Sequence, residues 1–224
     1  MASQRRPLRW WLRWTGLGLA AAAVWVLLSL LTLKFIDPPT TGVHMQRRVE
    51  SWFAKGKYVK RYQFVPLSRI SPAFQHAVIA AEDGNFYKHH GFDWEQIQDA
   101  IEDAEAGHPR GASTISQQLI KNLFFTTHGN PIRKAAEFAI VPVAELVLGK
   151  KRILELYLNV IEWGPGVFGA EAAAQVHYGT TAARISREQG ARLAAVVPAP
   201  RRRKPARMDR YSAIILGRMT VLGW

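Results

Sequence analysis

Twenty successive positions, Trp14 to Leu33 (WTGLGLAAAAVWVLLSLLTL), carry no formal charge, and no later stretch matches that run. About twenty apolar residues are what a helix needs to cross the hydrocarbon of a bilayer, so this segment predicts a membrane span. A secretory signal has a shorter apolar region, about 7 to 15 residues, with a small-residue cleavage site behind it. Here LTLKFIDPP follows, and the segment reads as an uncleaved anchor. Arg5, Arg6, Arg9 and Arg13 precede it, while Lys34 alone lies just behind. By the positive-inside rule the N-terminus stays in the cytoplasm and everything from about Phe35 onward lies outside it. The expected division is a tail and anchor over residues 1–36 and a second domain over 37–224.

Residues 40–70 mix aromatic and basic positions without a steady period and read as an irregular connector. Its Trp52, Phe53 and Tyr58 are expected to dip toward lipid. From Pro72 onward apolar positions recur with helical spacing, through PAFQHAVIAA, DWEQIQDAIEDAEA, STISQQLIKNLF, PIRKAAEFAIVPVAELVLG, KKRILELYLNVI, AEAAAQVHY, SREQGARLAAVV and a last stretch over 206–222. Glycines such as Gly107, Gly149 and Gly169 punctuate these segments, and strand-like alternation is nearly absent. The pattern predicts an all-α, mainly helical domain of about eight helices, with Pro142 kinking or dividing the fourth.

Composition narrows the partners. A chain of 224 residues allows one domain with a real core. Lys and Arg number 30 against 17 Asp and Glu, a net charge of +13, which by itself would admit nucleic acid. Five of those cations flank the anchor, however, and an exported domain meets little DNA. Anionic head groups or a phosphorylated, membrane-bound substrate account for the excess with the geometry already inferred, so no nucleic-acid partner is expected. The absence of cysteine fits an oxidising compartment without requiring one.

Four stretches carry candidate chemistry. AEDGNFYKHHGFD, residues 81–93, sets Glu82 beside Asp83 ahead of Phe86, two histidines and a glycine; a helix end running into a loop would explain the acids equally. In GASTISQQLIKNLF, Ser113 or Thr114 can cap a helix on which Thr114, Gln117, Gln118 and Lys121 fall at i, i+3, i+4 and i+7. A solvated face usually carries Glu/Lys pairs, whereas hydroxyls, amides and one lysine suit sugars and phosphate. In PIRKAAEFA, Arg133, Lys134 and Glu137 share one helix surface, as a surface salt bridge also would. In KRILELYLNVIEWG the apolar positions argue for burial, with Glu155 and Asn159 in structural roles. The seven histidines offer no metal site, because His89 and His90 are adjacent and no second ligand sits at ligand spacing on the same helix.

Taken in order, these stretches resemble the motifs of the family 51 glycosyltransferases, the peptidoglycan transglycosylases. E-D-x-x-F-x-x-H-x-G corresponds to Glu82, Asp83, Phe86, His89 and Gly91. G-x-S-T-x-x-Q-Q-x-x-K-N corresponds to Gly111, Ser113, Thr114, Gln117, Gln118, Lys121 and Asn122. R-K-x-x-E is Arg133, Lys134 and Glu137, and I-L-E-x-Y-L-N is Ile153, Leu154, Glu155, Tyr157, Leu158 and Asn159. The resemblance covers nearly all of the part beyond the anchor. No Ser-x-x-Lys occurs, so it points to the monofunctional, biosynthetic branch rather than to one carrying a transpeptidase.

The resemblance implies a lysozyme-like glycosyltransferase domain that polymerises lipid II into glycan strands with release of undecaprenyl pyrophosphate. Glu82 would be the catalytic base, with Asp83 orienting the site or holding the loop. Ser113, Thr114, Gln117, Gln118, Lys121, Asn122, Arg133 and Lys134 would bind substrate, the cations facing the pyrophosphate. Glu137, also expected to be catalytic, would hold those cations or help coordinate a divalent metal, magnesium or manganese; no organic cofactor is implied. The expected partners are lipid II, the growing strand, the membrane, and cell-wall synthesis or division proteins, at the inner membrane with a periplasmic catalytic domain. One position departs from the pattern. Where many relatives carry an arginine four residues before the R-K pair, this chain has Gly129, so that contact is missing or is replaced by Arg110 or a C-terminal arginine. The rivals are a lytic glycosidase, which has no need of the cations at 121, 133 and 134, and an anchored scaffold, which has no need of Glu82 or Glu137.

Overall fold

The computed structural model describes residues 5–54, 58–108 and 111–224; Arg110 lies outside them. Nine α-helices, three short 3-10 turns and a three-stranded sheet make up the regular structure described. Helix α1 (Arg5–Leu33) contains the apolar stretch Trp10–Leu33, 24 residues long and almost wholly unburied by the rest of the protein. At 1.5 Å per residue it extends about 36 Å, enough to cross a bilayer. Its last turns are fastened to the domain. Leu30 is fully buried, Trp25 meets Phe124 edge to face at 5.6 Å, and Arg152 donates to the Leu33 carbonyl at 2.8 Å and to Asp37 at 2.8 Å.

The connector is not irregular throughout. Helix α2 (Gly42–Phe53) occupies its first half, started by the Thr41 hydroxyl, which accepts from the His44 amide at 3.3 Å. The helix escapes a search for apolar periodicity because its inward face is largely polar. His44 and Gln46 are buried beside Val43, with His44 Nε2 against the Val160 carbonyl at 3.0 Å and Gln46 bonded to Thr127. Strand β1 (Arg61–Tyr62) and a 3-10 turn at Leu67–Arg69 follow. β1 runs parallel to β3 (Val167–Phe168), which pairs antiparallel with β2 (Glu162–Gly164), in the order β1-β3-β2.

The helices from Pro72 onward fall where their periodicity placed them: α3 (Pro72–Glu82), α4 (Trp94–Glu105), α5 (Ile115–Phe124), α6 (Pro131–Val160), α7 (Ala170–Tyr178), α8 (Arg187–Ala194) and α9 (Asp209–Val221). α5 packs along α6, while α3 packs against α8 and α9. Phe74, Leu119, Ile153, Tyr157 and Trp163 are among the fully buried side chains of the shared core. Helix α6 breaks at Gly149, where the sequence pattern divides the fourth and fifth helical segments, and not at Pro142, where a break is also expected. Pro142 lies on the exposed face, where water can serve the Phe138 carbonyl that its missing N–H leaves without a helical donor. Gly149 has φ 72° and ψ 162°, a conformation essentially reserved for glycine, and the chain turns there without obstruction. Asn159 and Glu155, beyond the break, hold the segment before α3: Asn159 exchanges two 2.9 Å bonds with the Val65 backbone, and Glu155 accepts from the Leu67 amide at 2.7 Å.

Candidate active site

The site forms where the end of α3, the start of α5 and the first turns of α6 converge. Glu82 is the last residue of α3, at the negative end of the helix dipole, which disfavours a carboxylate. Its Oε2 accepts from Gln118 Nε2 at 2.8 Å. Burial pushes its pKa up and Asp83 adds to the rise; the Gln118 hydrogen bond, Lys121 and Arg203 oppose it. The result is a carboxylate with an elevated appetite for a proton, still open to solvent on one side.

Asp83, almost fully buried, points elsewhere. It accepts from His89 Nε2 at 2.9 Å and from the Ile115 amide at 2.9 Å, tying the loop after α3 to the start of α5. His89 completes the loop by accepting the Gly91 amide at 3.1 Å through Nδ1. Gly91 has φ 97°, and a Cβ there would sit 2.5 Å from Val141 Cγ1, so the close approach to α6 requires glycine. The Gly91 carbonyl accepts from Thr114 Oγ1 at 2.7 Å. Phe86 is fully buried beneath.

Helix α5 sorts its polar residues into two sets. Thr114 and Gln117 form a capping box, the Gln117 amide donating to Thr114 Oγ1 at 3.2 Å and the Thr114 amide to Gln117 Oε1 at 2.9 Å. Both are buried and spend their bonds on the fold. Gln118 and Lys121 instead border the cleft. Gln118 Oε1 accepts from the fully buried Tyr157 hydroxyl at 2.9 Å, which turns its NH₂ toward Glu82. Asn122 donates to the Gln118 carbonyl at 2.8 Å. Sequence reading placed Tyr157 in the core and missed this link, because its tyrosine and glutamine stand 39 positions apart.

The Lys121 ammonium makes no hydrogen bond or ion pair with a described residue. Burial holds its pKa below the ordinary lysine value, and Arg133 and Lys134 push the same way against Glu137 and Glu82. Glu137 is almost fully buried, pairing with Arg133 and, at 3.5 Å, with Lys134. Lys134 also reaches the exposed Ser113 hydroxyl at 3.4 Å. Three cations thus gather around one acid, leaving net positive charge beside Glu82. The donor set does not suit a divalent cation. Glu137 is taken by two cations and Asp83 by donors, and no group of three His, Asp or Glu residues with metal-binding geometry occurs among the described residues.

Two cavities flank the bonded Glu82–Gln118 pair, one bordered by each residue. One, about 270 Å³, is lined by Gln118, Lys121, Asn122 and Arg47; the other, about 340 Å³, by Glu82, Arg210, Tyr211 and Arg218. The arginines of α9 belong to no motif identified in the sequence, and only the fold brings them to Glu82. Arg203 is close enough for its charge to lower the Glu82 pKa; it donates to the Ala195 carbonyl at 2.8 Å and stacks on Tyr211. At Gly129 an added Cβ would find Arg133 Nη2 at 3.9 Å, so this position borders the cation cluster.

A helical domain holding one proton-seeking glutamate beside a partly buried cation cluster has the elements of a group-transfer site, in which a base activates a hydroxyl and cations stabilise an anionic leaving group. The comparisons agree. The sequence model of the transglycosylase family matches residues 49–220, and the chain belongs to that family, whose domain has the lysozyme-like fold. It is 45% identical over 202 residues to a biosynthetic peptidoglycan transglycosylase of Nitrosospira multiformis, covering 87% of each chain. A protein of the same name from Dechloromonas aromatica is 44% identical over 219 residues, covering 93% of this chain and 95% of that one. Another, from Ectopseudomonas mendocina, is 43% identical over 208 residues, covering 89% and 86%.

Proposed function

We propose that this protein polymerises peptidoglycan glycan strands from lipid II, as a transglycosylase held in the inner membrane by α1 with its catalytic domain in the periplasm. The observation that carries the reading is Glu82, raised in pKa and aimed by Gln118, at the divide between two basic cavities. Glu82 takes the proton from the acceptor's C4 hydroxyl, whose oxygen attacks C1 of the donor sugar with inversion. The C1–O bond to the lipid pyrophosphate breaks, and Lys121, Arg133 and Lys134 stabilise the departing charge. The acceptor enters the cavity under α9, where Arg210 and Arg218 meet its own pyrophosphate. Ser113 and Asn122 border the donor, while Thr114 and Gln117 serve it indirectly by fixing α5. Glu137 acts as the counter-charge that keeps Arg133 and Lys134 in place, and no step is assigned to a metal.

The test is to incubate the detergent-solubilised full chain with labelled lipid II and separate products by size. Polymer with release of undecaprenyl pyrophosphate supports the reading. Release of muropeptides from purified sacculi without polymer would replace it with a lytic activity.

A further inference from the structure

A second site lies at the foot of α1, away from Glu82. A cavity of about 490 Å³ opens there between α2 and the segment leaving the anchor, with Pro39, His44, Arg48, Trp52 and Lys60 in its wall. On the other side of the exposed Pro39–Thr40 ridge, a groove of about 460 Å³ runs along α1, lined by Trp25, Leu28 and Phe124 among other mostly apolar residues. The two share that ridge as a common wall, so a cationic hollow and an apolar channel adjoin where the anchor leaves membrane depth.

The charges in the hollow are not neutralised by any described residue. Arg47 is paired with Glu50 at 2.9 Å and with Glu162 at 2.8 Å, yet its neighbour Arg48 makes no ion pair among the described residues. Lys60 has only a carbonyl, donating to Pro39 at 3.2 Å while lying 4.7 Å from the Tyr62 ring centroid. Burial and the neighbouring Arg48 both hold the Lys60 pKa down, which an anion between them would relieve. His44, 2% exposed, forms part of the wall, its ring packed against Tyr62 and Phe168. Its Nε2 faces the Val160 carbonyl and so carries the proton, leaving Nδ1 with a lone pair and no partner. Burial, with Lys60 adding to it, lowers the His44 pKa to about 4, so the ring is neutral at physiological pH. Trp52, 72% exposed at the rim, has the amphipathic ring that favours the head-group level.

We propose that this is a binding site for one bilayer glycerophospholipid, whose phosphodiester lies between Arg48 and Lys60 and whose acyl chain follows the groove along α1. The shared chemistry is a phosphate ester on a long hydrocarbon, which the lipid pyrophosphate of the substrate also has. A bilayer lipid is favoured because none of the residues gathered around Glu82 lines the hollow. The choice of a bilayer lipid rests on α1 lying in a membrane.

The experiment is native mass spectrometry of the full chain in detergent, titrated separately with phosphatidylglycerol, undecaprenyl pyrophosphate and inorganic phosphate. The expected result is one phosphatidylglycerol retained per chain. Arg48→Gln with Lys60→Gln should weaken retention at least about tenfold, the loss of a charge-assisted contact. Ser29→Phe, which fills the groove without touching a cation, should weaken it comparably. Arg184→Gln with Arg207→Gln, removing equal charge outside the hollow, should leave it unchanged. Equal loss in that control would reduce the effect to overall charge and overturn the site. Displacement by inorganic phosphate alone, or retention of the pyrophosphate and not phosphatidylglycerol, would overturn the assignment of a bilayer lipid. Flotation of the parent protein with liposomes tests the anchor separately, since retention in detergent is readable whether or not the chain floats.

Discussion

Glu82 and Glu137 both lie within charge range of Lys121 and both are crowded by protein, yet their surroundings make them different reagents. Glu82 ends a helix, has one neutral amide in contact and meets its cations only across space, so burial wins and its pKa rises. Glu137 lies early in α6 and touches Arg133 and Lys134 directly. Burial with a neutral donor produces a base. Burial among cations produces a counter-charge that fixes the cations. The contact partners, not the depth, divide the roles.

The most severe way to break this comparison is at Glu82. Glu82→Gln keeps the shape and a partner for Gln118 but cannot take a proton, and polymerisation should fall by about 10²- to 10⁴-fold. Thermal unfolding should show stability held or slightly raised, because a carboxylate with a raised pKa weakens the fold at neutral pH. A variant retaining most activity would remove Glu82 from the role of base.

Glu137→Gln should act the other way round. Arg133 and Lys134 lose their counter-charge but remain partly exposed, so the cost in stability is about 1–2 kcal/mol, below that of breaking a fully buried pair. Polymerisation should fall by roughly tenfold to a hundredfold, through misplaced cations rather than a lost proton acceptor. If Glu137→Gln removed activity as fully as Glu82→Gln at unchanged stability, the two acids would share the chemistry.

The pH profile of kcat/KM separates the two sides without disabling either. Activity should fall with decreasing pH through the raised pKa of Glu82. The Gln118 hydrogen bond is among the groups that lower that pKa, so Gln118→Leu should move the acid limb to higher pH. Tyr157→Phe, which only releases the Gln118 amide, should move it the same way by less. On the basic side, the lowered Lys121 pKa predicts loss of activity below the range of an ordinary lysine, and Lys121→Arg should push that limb upward. An acid limb indifferent to Gln118 would show that the amide does not govern Glu82.

Much of this was legible in the sequence, for reasons that differ along the chain. The helices of the second domain announce themselves because their apolar faces meet a shared core at regular spacing. A helix cap at Thr114 was readable too, but the motif assigns Gln117, three residues on, to substrate together with it, whereas the two form a buried capping box. What escaped lay in contacts between distant segments. α2 buries polar residues against Thr127 and Val160, which leaves no apolar stripe to find. The Tyr157–Gln118 link and the α9 arginines beside Glu82 depend on helices packing across the fold. Pro142 misled because its disruption depends on which face it occupies, and spacing alone does not reveal which carbonyls water can reach.

The smallest expected effect sharpens the cationic half of the comparison. Gly129 stands in an exposed loop with a non-positive φ, and the nearest atom to an added Cβ is Arg133 Nη2 at 3.9 Å. An arginine there is sterically free and would add a third guanidinium or ammonium to the pair that Glu137 already partly neutralises. Like-charge crowding in solvent costs a few tenths of a kcal/mol, while an arriving pyrophosphate gains one more charge-assisted contact. Gly129→Arg should therefore lower KM for lipid II about two- to fivefold with kcat little changed, since binding improves in ground and transition states alike. If kcat rises instead, the leaving group lacks a contact in the parent that position 129 supplies. If neither moves, Arg203 and the α9 arginines already provide the charge that this chain omits from its loop.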